Sequence, residues 1–62
     1  MKINIEKLNI LMAKKSLPAY KLADLAGVSR QTISTVRYRG TCSTTTAIKI
    51  ANGLGVEIEE LI

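Results

Sequence analysis

Ala23 and Gly27 stand four residues apart, and Ile33 follows six residues after the glycine. A small side chain at 23 lets two helices approach closely, Gly27 permits a left-handed turn, and Ile33 packs back underneath. Leu22, Ala26, Val28 and Val36 supply the other apolar positions that such a unit needs. Together they predict two short helices joined by a tight turn. The first runs roughly from Pro18 to Ala26, buries Leu22, Ala23 and either Leu25 or Ala26, and leaves Tyr20, Lys21 and Asp24 outside. Ser29 is a good N-cap for the second, which runs to about Tyr38.

Within that second helix Ile33 and Val36 share one face, while Gln31, Ser34, Thr35 and Tyr38 point the other way at about 100° per residue. Its Thr and Ser content gives poor helix propensity. A weak helix with a polar, acid-free outer face flanked by arginines is explained by what that face must touch, and its profile suits the reading of base edges in a DNA groove.

The remaining chain reads as all-α. Ile5, Leu8, Leu11 and Met12 recur at helical spacing in a first helix from the cap Asn4 to Lys15, with Lys14 and Lys15 where cations favour a helix C-terminus. Ser16-Leu17-Pro18 interrupts it, and Pro18 is suited to start the next helix. Arg39 to Cys42 is expected as a loop. Ser43 caps a further helix from Thr44 to Leu54, with Ala47, Ile48, Ile50, Ala51 and Leu54 inward and Gly55 closing it. Val56 to Ile62 fits one or two final turns. The expectation is one domain, residues 1–62, formed by a bundle of about five short helices.

Composition narrows the function classes. Apolar residues make up 47% of the 62-residue chain but aromatics only 3%, so an aliphatic core is required. His is absent and Cys42 stands alone, which removes most general-base, nucleophile-pair and metal-cluster schemes. An enzyme is therefore not expected, nor a cofactor, a metal or a small-molecule substrate. Cys42 lies just before a helix N-terminus, which can lower a thiol pKa; without a His partner it reads as small packing. No signal peptide and no apolar run of spanning length is present, so a cytoplasmic protein without a membrane partner is expected. Residues 1–40 hold eight Lys/Arg against two acids, and residues 41–62 one against three. The basic part contains the polar helix, and a polyanionic partner fits it.

Leu22-Ala23, Gly27-Val28-Ser29-Arg30, Thr32-Ile33-Ser34, Ile50-Ala51 and Leu54-Gly55-Val56 resemble the helix-turn-helix domain of lambda-repressor-like and Cro-like phage regulators. The resemblance covers about residues 5–62. It implies five short helices, the third entering the major groove of double-stranded DNA, and a sequence-specific transcriptional regulator acting by occupying an operator. By position it puts base contacts on Arg30, Gln31 and Thr35, with Thr32 and Ser34 at the margins. The chemistry suits them: Arg30 for guanine O6 and N7, Gln31 for adenine N6 and N7, Thr35 for a thymine methyl or an acceptor. Phosphate contacts are expected from Lys21, Arg37, Tyr38, Arg39 and the start of the fourth helix at Ser43 and Thr44.

The chain departs from that pattern at three places, one of them the segment Arg37-Tyr38-Arg39-Gly40. Many relatives open the second helix with a phosphate-clamping Gln, where Ala19 stands here and Tyr20 is the candidate replacement. Many also pair an Arg in the first helix with a Glu ending the third. Met12 and Arg37 occupy those positions, which would leave Arg37 free to face DNA. A homodimer on a palindromic site is expected to use the apolar C-terminal side chains Ile58, Leu61 and Ile62. The competing reading is a protein-interaction module on the same fold, such as an antitoxin-like subunit.

Overall fold

In the computed structural model, which describes residues 1–62, the chain forms four α-helices and one short 3-10 turn. These are α1 (Ile5–Lys14), α2 (Ala19–Ala26), α3 (Arg30–Arg39), α4 (Thr44–Leu54) and the turn Ile58–Leu61. The expected fifth helix is thus a single turn. Its segment is too short to meet the cost of nucleating an α-helix, and it is pinned locally: Glu57 N–H donates to the Glu60 carboxylate at 3.1 Å and Glu60 N–H to the Glu57 carbonyl at 3.0 Å.

The helix ends follow their sequence signals. Asn4, Ser29 and Ser43 each accept a backbone N–H with their side chain, from Lys7, Thr32 and Thr46 respectively. Pro18 caps α2 from outside, with φ −68° and ψ 163°, rather than forming its first turn. At the turn between α2 and α3, Gly27 takes φ +72°, and Gly27 and Val28 donate back to Asp24 and Ala23. This is the ending that a left-handed residue makes possible. Ser16 takes the same role after α1 at φ 53°, with Ser16 and Leu17 donating to Ala13 and Met12.

The core is wholly apolar. Leu8 and Met12 of α1, Leu22 and Ala23 of α2, Ile33 and Val36 of α3 and Ala47, Ile50, Ala51 and Leu54 of α4 meet Ile3 and Leu61 in one cluster. Two inward assignments sort themselves by helical angle. Ala26 is buried and Leu25 is exposed on α2, and Ile48, expected inside, is exposed on α4. Leu25 and Ile48 each fall about 110° from the centre of their helix's buried stripe, at its edge.

Residues 1–3, for which the sequence offered no periodic pattern, complete the fold. They run antiparallel to Gly40–Cys42, with a bridge between Lys2 and Thr41. Ile3 N–H reaches the Gly40 carbonyl at 2.8 Å, Cys42 N–H the Met1 carbonyl at 3.0 Å, and Asn4 N–H the Leu61 carbonyl at 2.6 Å. The N-terminal segment thereby holds the loop after α3 on one side and, through Asn4, the final turn on the other. Gly53 sets a further constraint, since a Cβ there would stand 3.0 Å from both Cβ and N of Ala26. A side chain there would make α2 and α4 give by a few tenths of an ångström at their crossing.

Candidate nucleic-acid interface

Because Ile33 and Val36 hold α3 to the core, the opposite face is Gln31, Ser34, Thr35 and Tyr38, all exposed. Tyr38 follows Gln31 by two turns on the same line and is 88% exposed. Thr35 and Gln31 border a groove of about 400 Å³ toward α4, closed by Ser29, Thr32, Thr41, Cys42, Ser43 and Thr46. Its walls are mostly hydroxyl side chains, with the Gln31 amide, Val36 and Cys42 among them. The free N–H groups at the start of α4 open onto the same side, where Thr44 and Thr45 precede the first residue that donates within the helix.

Hydrogen bonds already engage some of the expected contact residues. Thr32 is half-buried, its hydroxyl 2.8 Å from the Ser29 hydroxyl, and its N–H donates to the same oxygen. Ser43 accepts from Thr46 N–H at 3.1 Å and donates to the Thr46 hydroxyl at 3.0 Å. Both side chains build caps, so what Ser43 has left for an anion is its backbone. Burial pushes the Cys42 thiol above its usual range, the reverse of the lowering that its place before α4 suggests. The thiol is a wall of the groove and stays protonated.

The expectation that Arg37 is left without a partner is corrected by the structure. Six residues after Gln31, it lies about 120° round the helix, and its Nε donates to the Asn9 side-chain oxygen at 2.9 Å. Through Nε it ties α3 to α1 while its side chain stays exposed. The sequence comparison set Met12 opposite Arg37, but Met12 is buried core and Asn9, one turn earlier on α1, is the partner. Asn9 carried no sequence signal beyond its helical spacing from Met12. The assignment of Leu61 to a dimer surface is corrected as well: Leu61 is 0% exposed in the chain's own core, Ile58 is half-buried, and Ile62 is the exposed one.

Arg30 opens α3 beside α2, with its guanidinium carbon over the Tyr20 ring at 5.6 Å from the centroid. Lys21 and Arg39 are exposed on either side. Electrostatics sets this end of the molecule apart. Helix N-termini favour acids in the first turn, typically by about 0.3–1 kcal/mol each. Yet α2, α3 and α4 have none there, and α3 begins with an arginine. Of the five acids, Glu6 sits in the first turn of α1, Glu57, Glu59 and Glu60 at the final turn, and Asp24 toward the C-terminal end of α2. Three helix N-termini thus carry no acid in their first turns, beside one polar helix face.

Comparison with known proteins agrees with this geometry. The sequence profile of the Cro/C1-type HTH DNA-binding domain matches residues 7–62. The crystal structure of the restriction-modification controller protein C.AhdI from Aeromonas hydrophila is similar with a TM-score of 0.84 and 32% identity, over 94% of this chain and 89% of that one. No curated protein sequence matches. No helix is long and apolar enough to cross a membrane.

Proposed function

The chain belongs to the Cro/C1-type helix-turn-helix DNA-binding family, and from that premise we propose that it is a sequence-specific transcriptional regulator whose α3 lies in the major groove of an operator. Residues 1–62 act as one DNA-binding module, with Arg30, Gln31 and Thr35 reading base edges and Ser34 at the margin. Lys21, Arg39 and the backbone N–H groups at Thr44 hold phosphates and fix the register. Tyr38 lies toward the far end of the same face and meets the sugar-phosphate wall. Arg37 acts chiefly by keeping α3 at its angle to α1.

The observation that carries this reading is the absence of acid from the first turns of α2, α3 and α4 around an exposed polar face. Stability alone would place acids there. The likeness to a restriction-modification controller protein supports regulation as the purpose of binding. One module reads few base pairs, so a second copy on a palindromic site, with half-sites about 34 Å apart, completes the proposal. Ile62 and the half-buried Ile58 are the C-terminal apolar side chains open to that copy.

The test is binding to random-sequence duplexes across a salt series. A chain that neutralises several phosphates loses affinity steeply and linearly on a log–log scale as salt rises. No binding even at low salt, together with capture of a protein partner, would establish the interaction-module reading instead.

A further inference from the structure

Arg30 has the longest reach on the reading face and the most rotamer freedom to lose. It is also the residue least supported by its own helix. As the first residue of α3, its side chain leans toward the N-terminus, where no earlier turn lies beneath it. Repulsion from the positive end of α3 adds to that freedom. None of the chain's side-chain hydrogen bonds uses it. Its contact across the turn is the ring of Tyr20, in the first turn of α2, 5.6 Å from centroid to guanidinium carbon.

From this we infer that Tyr20 is a specificity-determining positioning residue, whose ring face orients Arg30 for base readout; the inference rests on the DNA-binding reading above. A guanidinium over an aromatic face is held by the ring quadrupole while its N–H donors stay at the rim of the plane, free for a bidentate contact with guanine O6 and N7. Tyr20 is 52% exposed, so the contact is made at the surface and is worth about 2–5-fold in the population of the held rotamer. This differs from a phosphate contact through the tyrosine hydroxyl. A hydroxyl on phosphate strengthens every sequence alike, whereas a ring that orients Arg30 changes preference at one base pair.

Duplexes recovered from a random pool by the wild-type chain supply the probe, and Arg30→Ala identifies the base pair that Arg30 reads. Tyr20→Ala lowers discrimination at that same pair by about 2–5-fold, Tyr20→Phe retains it, and Tyr20→Ala adds nothing in an Arg30→Ala background. Without DNA, the Arg30 side-chain protons lose their ring-current shift in Tyr20→Ala and keep it in Tyr20→Phe. The proposal is overturned if Tyr20→Phe behaves as Tyr20→Ala, or if Tyr20→Ala weakens all duplexes equally. An unchanged preference in Tyr20→Ala while the wild type binds specifically overturns the proposal and spares the DNA reading. A wild-type chain that binds no duplex at low salt overturns both.

Discussion

Helices α3 and α4 are made alike and used differently. Each is entered through a serine whose hydroxyl accepts the N–H of a threonine three residues on, and each closes on a glycine at φ 72°. They differ by one residue in length, 10 against 11. Yet α4 buries Ala47, Ile50, Ala51 and Leu54, whereas α3 buries only Ile33 and Val36. Three arginines stand on α3, and one lysine on α4. Equal caps fix the ends of both helices, and the number of positions given to the core decides which one holds the fold and which one is available to a ligand. A helix attached by two aliphatic residues and its caps can leave its other positions polar.

Four perturbations would break or sharpen that contrast. The largest is truncation of the core side: Ile50→Ala is expected to destabilise by about 2–5 kcal/mol, read by denaturant unfolding, while Gln31→Ala stays within about 0.5 kcal/mol. A comparable stability loss at Gln31 would mean that the outer face of α3 also holds the fold. Next comes Gly53→Ala, where alanine's better helix propensity, about 1 kcal/mol, is outweighed by a Cβ 3.0 Å from Ala26 backbone. A net loss of about 1–3 kcal/mol is expected because α2 must shift against α4 to accommodate it. An increase in melting temperature would show that the crossing has slack.

The caps test the likeness itself. Ser29→Ala and Ser43→Ala should each cost about 1 kcal/mol, and equal shifts in the unfolding midpoint would show that the two helices are held equally at their starts. The smallest effect is expected from Lys21→Ala, which leaves stability nearly unchanged and reduces the slope of log affinity against log salt by about one. If Lys21→Ala instead alters base preference, the division between positioning and reading residues fails.

How much of this was legible in the sequence varies with the range of the interaction. Caps, turns and buried stripes are local, so Asn4, Ser29, Ser43, Gly27 and the inward faces of α1 and α3 were read from spacing alone. Edge positions were not, because Leu25 and Ile48 sit where a small rotation of the helix decides between core and solvent. Contacts between distant segments carried no pattern: Ile3 against Gly40, Gly53 against Ala26, Asn9 against Arg37. The left-handed Ser16 was hidden for a different reason, since serine does not announce a conformation that glycine usually fills. Among the site residues, composition pointed to the face but not to the division of labour on it. Thr32 and Ser43 in caps, Arg37 on Asn9 and Arg30 on Tyr20 became visible only with the helices assembled.

The central claim is that the outer face of α3 reads DNA sequence and is not merely solvated. Selection of bound sites from a random duplex pool, run in parallel with the wild-type chain and Arg30→Ala, addresses it most directly. The account predicts that the wild type enriches a defined motif and that Arg30→Ala enriches the same motif with one base pair per half-site relaxed, at a cost of about 1–3 kcal/mol. Recovery of no motif by the wild type, or of an identical motif by both proteins, would contradict it.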